Sequence, residues 1–246
     1  EYLATLHQQR RSVNDPLKKL EEARVLIEIG MLDDATIVLK KAITQAQKTE
    51  DLFTEVTLRE LLRECFKNLD RDKNQGTITQ NEYQLQTAVL KLGRLIQYTQ
   101  INDRMWDYSR KHRLSKRANI NKAREELISR PEMQDRKLAD SLPAQLRYFY
   151  VWSLQHSHNG ETEKALECQK TIIDLYESNP DYLAKFPLFY QTALTNHIGK
   201  LIMAGKTDDC PKLLKKLEKI KPKGRREEIL YFQAAEPHFQ LYYMNT

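Results

Sequence analysis

The chain has 246 residues, of which 40 % are hydrophobic and 30 % charged, with only 7 Gly and 8 Pro. That length allows one large domain or two small ones around a substantial core, and the scarcity of turn residues excludes a strand-rich fold. The formal net charge is +6, from 40 bases mixed among 34 acids; this admits an anionic partner without requiring one.

Three cysteines, Cys65, Cys168 and Cys210, lie far apart and form no Cys-x-x-Cys pair. This speaks against a zinc knuckle or a disulfide framework and fits a reduced, cytoplasmic chain. No apolar run approaches the ~20 residues of a membrane span. A start at Glu1 rather than Met is expected of a processed form or of a piece of a longer chain, so a removed signal peptide stays open.

In chain order, residues 1–13 read as a helix tail. Asn14-Asp15-Pro16 starts a helix, with a capping side chain and then Pro at the first helical position. It runs to about Ile29 and Gly30 ends it. Asp33 or Asp34 is expected to cap a second helix, to about Lys48. A third, Asp51 to Leu69, repeats apolar residues at a helical period: Leu58, Leu61, Leu62, Cys65, Phe66 and Leu69. Asp70 to Thr79 is the most polar stretch and reads as a loop. A long helical pattern runs from about Gln80 to Arg113, with a break expected near Asn102-Asp103, and another from Leu114 to Arg130. Pro131 and Pro143 open the next two helices, the second carrying Phe149, Trp152 and Leu154. After a turn at His158-Asn159-Gly160 come helices at Glu161–Ser178, Pro187–Ala204 and Asp208–Ile220. The last helical stretch starts at Arg225 and breaks at Pro237. No strand is expected.

One spacing recurs. Gly30 is followed by Ala35, Leu39 and Ala42; Gly160 by Ala165, Gln169 and Ile172; Gly205 by Cys210, Leu214 and Leu217, with Pro222 beyond. The glycine ends one helix, and five residues later a small side chain lets the next helix cross close to it; Ala23 supplies the small residue on the other side of the first crossing. This pattern resembles the tetratricopeptide repeat, a unit of about 34 residues, and the order of elements resembles bacterial chains that carry such pairs. The resemblance covers units near 16–48, 146–178 and 191–222. A degenerate fourth lies near 86–118, where Leu92-Gly93 matches but Met105 is too large for a crossing. The wide spacing of Gly160 and Gly205 implies an insertion near Pro180–Tyr190. The resemblance implies an all-α, right-handed superhelix of antiparallel helix hairpins over residues 1–246, as a single array.

The same resemblance implies a non-enzymatic scaffold that binds a peptide or protein segment in a concave groove lined by the first helix of each pair. The corresponding residues are Leu20, Arg24 and Ile27, then Arg147, Tyr150 and Leu154, then Thr195 and Asn196. Leu20 and Arg24 replace the lysine and asparagine with which some members clamp a C-terminal carboxylate. Tyr150 and Arg147 are the better anchors by residue type. Inserted helices that fill the groove would instead make these residues core.

Other chemistry is weakly signalled. Asp70, Asp72 and Asn74 sit at the first three ligand positions of a calcium loop, but Gln75 takes the glycine place and Asn81 the glutamate place; a solvated connection reads as well. Arg104–Arg117 interleaves Trp106 and Tyr108 with six bases, and Lys212–Arg226 carries eight bases and one acid. Either run could follow a nucleic-acid backbone, the alternative function, but bases on the solvent side of an amphipathic helix give the same text. His156 and His158 are the one close histidine pair, and two residues apart on a helix they point to different faces. No phosphate-binding glycine loop, His-Glu-x-x-His or Gly-x-Ser-x-Gly occurs. No catalytic residue, metal ligand or cofactor is therefore expected.

Overall fold

The computed structural model describes residues 16–69, 71–111 and 118–220. Of these, 86 % are helical and none is in a strand. The helices are α1 (Pro16–Glu28), α2 (Leu32–Lys48), α3 (Leu52–Lys67), α4 (Arg71–Lys111), α5 (Ala118–Ile128), α6 (Pro131–Gln134), α7 (Leu142–Asn159), α8 (Thr162–Glu177), α9 (Pro180–Lys185), α10 (Pro187–Met203) and α11 (Cys210–Glu218), with a 3-10 turn at Arg136–Leu138. Two compact units divide the chain, Glu1–Leu95 and Ile96–Thr246, and the division falls within α4.

Three helix ends share one device. Gly30, Gly160 and Gly205 have φ of +80°, +76° and +69°. After each, the next residue's N–H reaches back five positions, Met31 to Leu26, Glu161 to His156 and Lys206 to Leu201, at 2.8–2.9 Å. The glycines themselves donate to Ile27, Ser157 and Ile202. These paired bonds satisfy the last carbonyls of α1, α7 and α10 and require a left-handed residue. Nothing lies within 4 Å of the position a Cβ would take at any of the three. The requirement is therefore one of backbone conformation, not of space.

In the first unit, α2 lies against α1 and α3. Ala23, Ala35 and Ala46 are fully buried in one cluster with Leu20, Leu39, Ala42, Ile43, Leu58, Leu62, Cys65 and Phe66. Asp51 caps α3, its carboxylate accepting from Thr54 N at 3.2 Å and Thr54 Oγ1 at 2.7 Å. Asp33 and Asp34 do not cap α2; the cap position is Met31. The two acids follow in the first turn, where they face the positive end of the helix dipole.

In the second unit, Tyr98, Ile101 and Met105 follow one another on one face of α4 and are all fully buried. Tyr98 donates its hydroxyl to the Glu132 carbonyl at 2.6 Å and meets Tyr148 edge-on at 6.4 Å. Burial, then the Glu132 charge, pushes its phenol up to about 12. α7 lies against α8, with Ser153 donating to the Ala165 carbonyl at 3.2 Å and Gln169 to Ser153 Oγ at 3.0 Å. α10 packs on α8, and α11 closes the cluster with Cys210, Leu213, Leu214 and Leu217. The insertion expected near Pro180–Tyr190 forms α9 and the start of α10. Its Tyr182 packs beside Tyr176, the rings tilted and their centroids 5.9 Å apart.

Two further expectations fail. Residues 71–79 are helix, not loop. Arg, Lys and Gln are good helix formers, the one Gly costs about 1 kcal/mol, and Ile78 packs on the first-unit core. The break near Asn102-Asp103 is also absent, because Ile101 and Met105 on either side are both buried. The readings at 1–13, Asn14-Asp15, Pro222 and Arg225 onward lie outside the described residues.

Gly160→Ala should lower stability by about 1–2 kcal/mol through left-handed strain alone. Ala35→Leu should cost about 1–3 kcal/mol by overpacking. Urea unfolding of each variant measures both, and a cost at Gly160 near zero would refute the cap argument.

Candidate functional site

The first unit contains a polar cleft between α2, α3 and α4, in two lobes of about 250 and 200 Å³. Gln47, Arg59 and Gln84 line both lobes. Glu50, Leu52, Glu55, Tyr83, Thr87, Ala88 and Lys91 complete the larger. Lys40, Ile43, Thr44, Leu62, Thr77, Gln80 and Asn81 complete the smaller. The cleft floor is an ion pair. Arg59 is 3 % exposed and Glu55 7 %. Arg59 Nε donates to Glu55 Oε1 at 2.8 Å, and Gln47 donates to the same oxygen at 3.0 Å. Arg59 Nη1 donates to Gln84 Oε1 at 2.7 Å and more weakly to Asn81 Oδ1 at 3.4 Å, while Asn81 Nδ2 donates to the Arg59 carbonyl at 3.2 Å. Burying two charges is tolerable only with this degree of hydrogen bonding. The network ties all three helices together and fixes the cleft walls. Tyr83 stands at the rim, 71 % exposed.

The groove residues read from the sequence are distributed between the units. Leu20 is in the first-unit core, Ile27 is half-buried, and Arg24 is exposed with Glu21 at 3.8 Å. In the second unit Thr195 is buried, its hydroxyl donating to the Thr192 carbonyl. Arg147, Tyr150, Leu154 and Asn196 are half-buried. Arg147 Nη1 turns back to the Pro143 carbonyl at 3.0 Å. Tyr150 packs on the cluster that holds Tyr176 and Tyr182, and burial raises its phenol.

A second polar cluster surrounds the last turn of α7. Ser109 Oγ lies 2.7 Å from His158 Nε2, and Lys200 Nζ donates to Ser157 Oγ. Both serines also have a partner in their own helix. Ser109 already donates to the Met105 carbonyl at 2.8 Å and Ser157 to the Ser153 carbonyl at 2.7 Å. Each hydroxyl is thus shared between an i−4 carbonyl and a basic side chain: Ser157 Oγ accepts from Lys200, and the direction of the Ser109–His158 bond follows the imidazole tautomer. Burial, then the positive charges of Arg124 and Lys200, lowers the His158 pKa. Burial also lowers Lys200 and Arg124. Cys168, near Lys200, is pushed up to about 11 by burial, which makes it a poor thiolate.

The helix through residues 71–79 removes the loop that the calcium reading needs. Among the described residues, no three His, Cys, Asp or Glu side chains gather as metal ligands. Residues 112–117 and 221–226 of the two basic runs lie outside the described residues. In the described part of the second run, Lys216 is paired with Glu177 at 2.6 Å and Lys212 with Asp209 at 3.4 Å. His156 stacks on Trp152 and contacts Glu161 at 2.6 Å. Cys65 and Cys210 are buried. No described helix is long and apolar enough to cross a membrane.

No family model, curated protein or solved structure matches this chain.

Sequence reasoning missed the cleft. The Glu55–Arg59 spacing reads as an ordinary surface i,i+4 pair, and nothing in the local sequence announces that α4 will cover it. Arg59→Met should destabilise the protein by about 3–5 kcal/mol by stranding Glu55, and Glu55→Leu/Arg59→Met should recover most of that loss. Urea midpoints of the single and double variants check this. A second test uses His197, which is buried, with Nδ1 unpartnered and its pKa lowered chiefly by burial. A lowered histidine leaves stability intact above the unfolded value of about 6.5 and erodes it as pH falls below that. The urea midpoint should therefore drop between pH 7.5 and 5.5. The drop should be smaller in His197→Leu.

Proposed function

We propose that this chain is a non-enzymatic scaffold that binds an extended segment of a partner protein. The observation that carries the reading is the first-unit cleft. Among its lining side chains are the amides and hydroxyls of Gln47, Gln80, Asn81, Gln84, Thr44, Thr77 and Thr87, with Lys40, Glu50 and Lys91 also present. Such amides and hydroxyls recognise a peptide backbone by hydrogen bonds and do not exchange protons at neutral pH. The floor is locked before any ligand arrives, which lowers the ordering cost of binding. Tyr83 at the rim is the residue type that concentrates binding energy.

The pairs α1–α2, α7–α8 and α10–α11 are read as tetratricopeptide-like units, the stacking of which gives a right-handed superhelix. The shared glycine cap and the buried small residue five positions later, Ala35, Ala165 and Cys210, support that reading. The half-buried stripe Arg147, Tyr150 and Leu154, with Asn196, is then a second contact surface. Free Cys65, Cys168 and Cys210 suit a cytoplasmic setting.

Panning a random peptide library against the full chain tests the reading. Enriched peptides should bind at least tenfold more weakly to Tyr83→Ala/Lys91→Glu with an unchanged melting curve. Absence of enrichment, or equal binding by the variant, would overturn the cleft assignment.

A further inference from the structure

The turn between α2 and α3 is built like the glycine caps, but with a glutamate. Glu50 N donates to the Gln47 carbonyl at 3.0 Å and Asp51 N to the Ala46 carbonyl at 2.9 Å. These are the same paired bonds that close α1, α7 and α10 at Gly30, Gly160 and Gly205. The pattern calls for a left-handed residue, and Glu50 has φ of +44°, the one positive φ outside glycine among the described residues. Thr49 closes α2 and Asp51 caps α3, so Glu50 alone joins them. A side chain in this conformation crowds its own backbone, a strain that glycine avoids.

The tight turn accounts for the left-handed backbone but not for glutamate in it. Asparagine and aspartate tolerate the region better, because their short side chains bond locally. Backbone strain of this kind concentrates at ligand-binding positions, where the side chain serves another end. Glu50 is half-buried and lines the larger lobe of the first-unit cleft, together with Tyr83 and Lys91 of α4. The lobe's other acid, Glu55, is held in the floor by Arg59 at 2.8 Å and Gln47 at 3.0 Å. Lys91 lies on regular helix, where its side chain causes no such strain.

We infer that Glu50 is a ligand-binding residue and that the larger lobe receives a basic side chain, arginine or lysine, of the bound segment. The inference rests on the cleft being the site at which that segment binds. A carboxylate holds a guanidinium or an ammonium by charge-assisted hydrogen bonds. Tyr83, 71 % exposed at the rim, presents a ring face of the kind on which such cations settle. The ammonium of Lys91 has donors only and meets the backbone carbonyls of the same segment.

NMR titration of the full chain with three capped peptides tests this. They are N-acetyl-Ala-Ala-Arg-Ala-Ala-amide and its counterparts with citrulline, the neutral analogue of arginine, or glutamate in the middle; the side-chain amide signals of Gln47 and Gln84 report binding. The arginine peptide should bind about tenfold more tightly than the citrulline peptide, as expected of one hydrogen bond to a charged group. The glutamate peptide should bind most weakly. Glu50→Gln should abolish the preference for arginine and leave the citrulline peptide's affinity unchanged. Equal binding of the arginine and citrulline peptides overturns the subsite while the cleft stands. Preference for the glutamate peptide overturns it in favour of Lys91 as the charged contact. Failure of all three to shift the signals overturns the cleft and the subsite with it. Glu50→Gly separates binding from folding: the arginine preference should be lost while the urea midpoint rises, because glycine relieves the left-handed strain. A lower midpoint would show that Glu50 stands there for stability and would overturn the inference.

Discussion

Helices approach closely only where neither carries bulk at the crossing, and this constraint organises both units. Ala23 and Ala35 are fully buried within the α1–α2–α3 cluster, and in the second unit Ala165 and Cys210, each five residues after a cap glycine, are buried. Close approach lets Leu39, Ile172 and Leu217 reach full burial, and burial of such side chains contributes about 1.5–3 kcal/mol each. The glycine caps serve the same end. They close α1, α7 and α10 within a single left-handed residue, and the small residue five positions on from each is buried.

On that scaffold polar groups are buried where they tie helices together. The Arg59–Glu55 pair holds α3 to α2 through Gln47 and to α4 through Gln84 and Asn81. A hydrophobic pair of similar volume would pack as well, so the pair is better understood as fixing one arrangement of three helices than as a source of net stability. The Tyr190 hydroxyl does a similar task in the second unit. It donates to Glu177 at 2.6 Å, and Lys216 of α11 reaches the same oxygen at 2.6 Å. One carboxylate thereby links α8, α10 and α11.

The second-unit cluster shows how donor counting changes a functional reading. A serine near a histidine and a serine near a lysine invite a nucleophile at first sight. Both hydroxyl protons, however, are held by carbonyls of their own helices. Local back-bonding of this kind is common for helical serines.

The sequence by itself determined the helical class, most helix boundaries and the glycine–small-residue spacing, because these depend on local periodicity, caps and breakers. Pro143, Pro180, Pro187 and Pro211 stand in the first two positions of their helices, as their fixed φ dictates. It did not determine what happens at residues 71–79 or around Asn102, where polar residues read as a loop and a break. There the burial of Ile101 and Met105 and the packing of Ile78 outweighed weak local preferences. The candidate sites were less legible. Of the groove positions, Leu20 and Thr195 proved to be interior. The cleft and the polar cluster at the end of α7 bring together residues more than 20 positions apart in the sequence, such as Arg59 with Gln84 and Ser109 with His158. Hydrogen bonding and charge repulsion between such distant groups depend on distance in space, and only the tertiary structure sets that distance.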